Sequence, residues 1–194
     1  AELRGNWSLL VHPHRNLPPG RVSAIDRCQD HPHLVQGEGH LLAPGFAGKW
    51  AYLVNEQGKS VTFCHYDPER GRLTKRQTLS THPKDWYVNS GSCAEIRISE
   101  DGRFVYASNR GHESIASFRI DPVSGELAEL ERVQTEKIPR SFDLMPGGRF
   151  LVAAGQGEGR LTLYRRDPES GRLMLAQTLE CGKSPAWVMG LKLR

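Results

Sequence analysis

The chain has 194 residues, of which 38% are hydrophobic and 25% charged, and its formal net charge is +4 at pH 7. It has no apolar run near the roughly 18 residues of a transmembrane helix, and its start lacks the charged, apolar and small-residue sections of a signal peptide. Lysine and arginine alternate with acidic residues instead of forming blocks. We therefore expect a soluble, cytoplasmic protein with neither nucleic acid nor membrane as a partner.

The first 36 residues are predicted to be an irregular segment. Proline and histidine are frequent in it, and only Trp7 to Val11 looks like a strand. Three interpretations stay open for this segment: the strand-like run closes the final repeat of the chain, the segment is an altered extension, or the chain is a piece of a larger ring.

From residue 37 onward the chain is repetitive. The motif Asp-Pro-x-x-Gly-x-Leu begins at Asp67, Asp121 and Asp167, at spacings of 54 and 46 residues. Gly48, Gly102 and Gly148 keep the same two offsets. A fixed period is typical of architectures in which each repeat buries its apolar face only against its neighbours. The longer first spacing indicates one insertion, between Thr81 and Ala94.

Each repeat is predicted to contain four short strands, because alternating or β-branched runs are separated by turn residues. In the recurring motif proline fixes φ, aspartate bonds its own backbone and glycine accepts positive φ, so the motif is the hairpin between the third and fourth strands. Four antiparallel strands in about 45 to 55 residues is the period of a β-propeller blade. We predict an all-β, partial propeller over 37–194, with blades at 37–81, 92–135 and 138–180 and a closing strand at 184–193.

The blade geometry predicts where a site lies. The start of the first strand and the end of the second lie at the same edge of an antiparallel blade, so these positions in successive blades surround one mouth of the axial channel. The residues predicted at this mouth are His40, Glu56, Glu95, Arg110, His112, Arg140, Ser141 and Gln156.

The insertion crosses over the same mouth and contains Lys84, Trp86, Tyr87 and Asn89. It is interpreted either as a binding loop or as a rim loop that packs Trp86 on a neighbouring blade. The four cysteines have neither metal-type nor disulfide-framework spacing, and no glycine-rich loop opens a helix. We therefore expect no metal and no cofactor.

The stretches "SCAEIRISEDGRFVYASNRGHESIASFRID" and "IPRSFDLMPGGRFLVAAGQGEGRLTLYRRD" carry a resemblance. Over residues 37–194 the chain resembles the last three blades of the 6-phosphogluconolactonase family of seven-bladed propellers, which includes carboxymuconate-lactonising enzymes. The resemblance implies hydrolysis of an anionic sugar lactone, foremost 6-phosphogluconolactone of the pentose phosphate pathway. The alternatives are a muconate-type lactonising cycloisomerase and an inactive propeller fragment that serves as an interaction scaffold and self-associates where the propeller is incomplete.

Lactone hydrolysis needs a base for the attacking water and stabilisation of the tetrahedral oxyanion. Glu95 or His40 is predicted to be the base and Arg110 the oxyanion group, which makes these three the predicted catalytic residues. Arg140 is predicted to hold a phosphate or carboxylate through its planar fork.

Less specific roles stay open for the same positions. Glu95 and Arg110 are alternatively interpreted as an ion pair that ties two strands together, and Arg140 as a surface cap. The other predicted substrate-binding residues are Ser141, Glu56, Gln156 and His112. Of these, Glu56 and Gln156 are alternatively wall residues and His112 a turn residue, and His40 is alternatively a turn histidine.

Overall fold

The computed structural model describes the backbone of residues 7–13 and, with side chains, residues 50–67, 69–86 and 91–192. These ranges contain thirteen β-strands and no helix, so none that is long and apolar enough to cross a membrane. The strands are β1 (Trp7–Pro13), β2 (Trp50–Asn55), β3 (Ser60–Asp67), β4 (Arg72–Ser80), β5 (Ser92–Ile98), β6 (Phe104–Arg110), β7 (Ser114–Ile120), β8 (Leu127–Gln134), β9 (Pro139–Leu144), β10 (Phe150–Gly155), β11 (Arg160–Arg166), β12 (Leu173–Glu180) and β13 (Pro185–Lys192).

The strands form antiparallel blades. Two sheets have four strands each, in the orders β5-β6-β7-β8 and β9-β10-β11-β12, and a third has the order β2-β3-β4. Every neighbouring pair within these sheets is antiparallel and consecutive in the chain. The predicted all-β architecture of four-stranded antiparallel blades is thereby confirmed.

The strand-like run near the start of the chain lies in β1. This strand pairs antiparallel with β13, with Trp7 opposite Lys192 and Val11 opposite Val188. β13 also lies beside β9, the first strand of the preceding blade. The two ends of the described chain therefore meet in one two-stranded sheet.

The recurring Asp-Pro-x-x-Gly motif forms the hairpin between the third and fourth strands, as predicted. In the middle copy Asp121 Oδ1 accepts hydrogen bonds from the backbone N–H groups of Val123 and Ser124, at 2.9 and 2.8 Å. These bonds stabilise the carboxylate and lower the pKa of Asp121. Gly125 closes the turn with φ of +79°, a conformation that glycine adopts without steric cost.

The same turn locks neighbouring blades together. Tyr52 on β2 donates its hydroxyl hydrogen to the carbonyl of Gly125 at 2.7 Å, and Tyr106 on β6 makes the equivalent bond to Gly171 at 2.8 Å. Both tyrosines are fully buried in apolar clusters that fill the two seams between blades. These seams hold the inner strands β2, β5 and β9 side by side, and a third apolar cluster that includes Met145 and Val188 packs β13 against the last of these blades.

Candidate active site

Two inner strands carry β-bulges at the predicted mouth. The register of β5 with β6 shifts between Cys93 and Ile96, and that of β9 with β10 shifts at Ala154 and Gly155. The residues left without a ladder partner include Glu95 in β5 and Arg140 in β9. A bulge re-aims side chains beside a site, and here it displaces two residues that the sequence had marked as functional.

Glu95 is a largely buried carboxylate with two differently bound oxygens. Its Oε1 atom is ion-paired with the Arg97 guanidinium and accepts the backbone N–H of Ile96 at 3.2 Å. Its Oε2 atom accepts only the hydroxyl of Ser141, at 3.4 Å, among the described residues. Burial raises the pKa of Glu95, and the neighbouring Arg97 charge acts in the opposite direction.

Arg97 also reaches the next blade. Its Nε atom donates to Asp143 Oδ1 at 3.1 Å, so a single guanidinium joins carboxylates on β5 and β9. We name Glu95, Arg97, Ser141 and Asp143 the channel-wall network. Arg97 and Asp143 were not among the predicted residues, although each lies two residues after a predicted mouth residue and so on the same face of its strand.

The third inner strand completes this network through its backbone. The N–H of Val188 donates to Ser141 Oγ at 3.2 Å, and the N–H of Gly190 donates to Asp143 Oδ2 at 3.0 Å. Both acceptors are therefore fixed by β13 on one side and by β5 on the other.

Arg110 lies at the rim, at the end of β6. Its Nη2 atom is ion-paired with Glu56 from the preceding blade and donates to the Cys93 carbonyl at 2.9 Å. Glu95 pairs with Arg97 instead. The alternative in which Glu95 and Arg110 form an ion pair is therefore wrong. Glu95 is paired with Arg97, and Arg110 is paired with Glu56.

Arg140 and Gln156 are brought together by one backbone carbonyl. The carbonyl of Ile138 accepts the N–H of Arg140 at 2.7 Å and that of Gln156 at 3.0 Å. Ile138 has φ of +56°, which is strained for a β-branched residue, and Glu113 Oε2 holds its N–H at 2.5 Å. No hydrogen bond or ion pair joins the Arg140 guanidinium to another residue of the described ranges, which leaves it available to an anion.

His112 lies in an aromatic cluster outside this network. Its ring is 4.6 Å from that of Trp86 and 5.7 Å from that of His82, measured between centroids. Its Nδ1 is 2.7 Å from Ser114 Oγ, and burial lowers the pKa of His112, with Arg132 adding to the effect. The insertion thus packs Trp86 on the neighbouring blade, the second of its two interpretations.

Some predicted positions lie outside the described residues. These are His40 of the predicted catalytic set and Tyr87 and Asn89 of the insertion. Within the described ranges there is no group of three or more histidine, cysteine, aspartate or glutamate side chains that could hold a metal ion.

Comparison with known proteins gives a consistent picture. Residues 29–189 match the family "Lactonase, 7-bladed beta-propeller". The 6-phosphogluconolactonase of Bacillus subtilis strain 168 is 42% identical over 124 residues, which are 58% of this chain and 35% of that protein. An uncharacterised protein of Lactococcus lactis subsp. cremoris is 44% identical over 97 residues, 50% of this chain and 28% of that protein.

Solved structures share the fold. A Lactobacillus plantarum protein superposes with a TM-score of 0.74 at 33% identity, covering 79% of this chain and 45% of that one. The periplasmic gluconolactonase of Pseudomonas aeruginosa gives a TM-score of 0.71 at 31% identity, covering 78% of this chain and 41% of that one. This chain thus spans less than half the length of these relatives.

Proposed function

We propose that this chain, which belongs to the family of seven-bladed β-propeller lactonases, hydrolyses the ester bond of an anionic sugar lactone, with 6-phosphogluconolactone as the first candidate. The observation that carries the proposal is the Glu95 carboxylate, which is buried at the channel mouth and has one weakly engaged oxygen. The resemblance of half the chain to a 6-phosphogluconolactonase supports the choice of substrate. The location in the cytoplasm stays a prediction.

In the proposed reaction Glu95 is the base. Its Oε2 atom takes a proton from water as the water oxygen attacks the lactone carbonyl carbon, and the carbonyl becomes an oxyanion. The bond to the ring oxygen then breaks, and the protonated Glu95 returns its proton to that oxygen. The product is the open-chain hydroxy acid, and the carboxylate is regenerated.

Arg110 and Arg140 have distinct electrostatic roles in this proposal. Arg110 Nη2 is held by Glu56 and Cys93, whereas no hydrogen bond joins its Nη1 to the described residues, so Nη1 serves the oxyanion. The guanidinium of Arg140, which has no such partner either, binds the phosphate or carboxylate of the substrate bidentately.

The test is hydrolysis of freshly prepared 6-phosphogluconolactone above its spontaneous rate. Replacement Glu95→Gln keeps the side-chain shape and removes the base, so kcat falls by about 10²-fold or more. Glu129→Gln is the matched control, because Glu129 pairs with Arg132 on the outer strand β8 and keeps the wild-type rate.

Arg140→Ala separates binding from chemistry. It raises KM for the phosphorylated lactone and leaves KM for unphosphorylated gluconolactone nearly unchanged. A folded wild-type chain that hydrolyses neither lactone contradicts the proposal. Conversion of a lactone to an unsaturated diacid without addition of water would indicate the cycloisomerase instead.

A further inference from the structure

We infer that Arg97 is a positioning residue for Glu95: it binds Glu95 Oε1 and is itself anchored by Asp143 across the blade seam, so that Oε2 alone faces the reacting water. The inference rests on the proposed function. It adds to that function two residues, Arg97 and Asp143, that lie two positions after Glu95 in β5 and after Ser141 in β9.

The two oxygens of Glu95 are not equivalent. Oε1 is ion-paired with Arg97 and accepts the N–H of Ile96, and these two bonds from β5 itself fix the plane of the carboxylate. Oε2 has the single long contact to Ser141 at 3.4 Å. Because a lone pair already bound to a guanidinium is a poor base, proton transfer from water falls to Oε2.

Arg97 is held from the opposite side by Asp143. The Nε–Oδ1 distance is 3.1 Å, and Asp143 is fixed in turn by the N–H groups of Leu144 at 2.9 Å and Gly190 at 3.0 Å. The guanidinium is thereby clamped between two carboxylates on two blades. A clamped guanidinium loses little further rotamer freedom when it orients its partner, which suits a positioning role.

The charges that face Glu95 come from two strands. Arg97 on β5 lowers the pKa of Glu95, whereas burial, the largest cause, and Asp143 on β9 raise it. β6 contributes the neutral Ser108 hydroxyl, which accepts the Glu95 N–H at 3.0 Å, and β13 contributes backbone N–H groups to Ser141 and Asp143. Arg97 is thus the cation that favours the ionised form of this buried carboxylate, against burial and a second carboxylate.

Removing the Arg97 cation and removing the Asp143 carboxylate have opposite effects on the pKa of Glu95. Arg97→Met leaves two buried carboxylates together, so the pKa of Glu95 rises and the acid limb of kcat/KM moves to higher pH. Asp143→Asn removes the like charge, so the acid limb moves to lower pH. Arg97→Lys keeps the charge but not the fork, so the limb stays in place while kcat falls.

The decisive experiment pairs the pH–rate profile of 6-phosphogluconolactone hydrolysis with a direct titration of Glu95 in the full chain. The titration follows carboxyl ¹³C shifts of glutamate-labelled protein, with the Glu95 signal assigned by its loss in Glu95→Gln. Arg70→Met is the control, because Arg70 pairs with Asp67 on the surface and leaves both measurements at their wild-type values.

The two readouts separate the inference from the function. A folded wild-type chain that does not hydrolyse the lactone contradicts the proposed function. The ¹³C titration then still shows whether Arg97 acts on the Glu95 carboxylate. A Glu95 titration that is the same in Arg97→Met as in the wild type overturns the inference. Should Arg97→Met fail to fold, Arg97→Lys decides: a Glu95 titration at its wild-type position together with a lowered kcat supports the inference, and a wild-type kcat overturns it.

Discussion

Alanine at the three turn glycines separates backbone strain from packing between blades. Gly71, Gly125 and Gly171 close the same Asp-Pro-x-x-Gly turn with φ of +61°, +79° and +76°. A Cβ atom on Gly171 would lie 2.3 Å from Cδ1 of Phe104, and one on Gly125 would lie 2.6 Å from Cδ2 of Trp50. A Cβ atom on Gly71 would meet no atom of the described residues within 4 Å.

The expected loss of stability follows from these distances. All three substitutions place an L side chain in the left-handed region, which costs about 1–2 kcal/mol. At Gly125 and Gly171 the added methyl group also strikes a buried ring of the preceding blade, and overpacking of this kind costs about 1–3 kcal/mol more. We therefore expect a loss of about 1–2 kcal/mol for Gly71→Ala and about 2–5 kcal/mol for Gly171→Ala.

Urea unfolding followed by tryptophan fluorescence measures the difference. The midpoint for Gly71→Ala lies between those of the wild type and of Gly171→Ala, and the m-values stay equal so that midpoints report stability. Gly71→Ala serves as the internal control for backbone strain. Equal losses at Gly71 and Gly171 would refute the idea that this turn packs against the neighbouring blade.

Three further outcomes are expected. Tyr106→Phe deprives the buried carbonyl of Gly171 of its donor and lowers the free energy of unfolding by about 1–3 kcal/mol, measured by urea titration. Burial lowers the pKa of His82 from 6.5 to about 4, so on acidification the unfolded state takes up a proton at a higher pH than the folded state does. The stability of the folded chain therefore falls as the pH drops from 6.5 toward 4, and thermal melts of His82→Gln show a smaller fall of the melting temperature over this range. Burial raises the pKa of the Cys93 thiol to about 11, so mass spectrometry after iodoacetamide treatment of the native chain at pH 8 finds Cys181, which is exposed, modified and Cys93 intact.

The blades could be predicted because local chemistry repeats. Each Asp-Pro-x-x-Gly turn reverses the chain by bonds within five residues, and the strands between turns alternate in the way that half-buried strands do. The locks of Tyr52 on Gly125 and Tyr106 on Gly171 join residues 73 and 65 positions apart. No local pattern marks such a pair, although both tyrosines sit at matching places in the repeat.

The candidate site could be predicted in position but not in its bonds. Counting from the turn glycines located Glu95 and Ser141, with Arg140 beside Ser141, near one edge. The count could not tell which arginine forms an ion pair with Glu95, because Arg97 and Arg110 both lie on the β5–β6 strand pair. The bulge between Cys93 and Ile96 sets the direction of the Glu95 side chain, and the partner is Arg97.

The channel-wall network also depends on the seam between blades. Arg97 and Asp143 belong to different sheets, and no backbone ladder links β5 to β9. Their 3.1 Å contact is therefore set by the packing of Tyr106 and Phe104 against the following blade, which fixes how far the two inner strands are displaced along each other. A shift of 1 Å along this seam would break the hydrogen bond while leaving both blades intact. The orientation of the Glu95 carboxylate thus depends on interblade packing, which anchors Arg97 through Asp143, as well as on the bonds within β5.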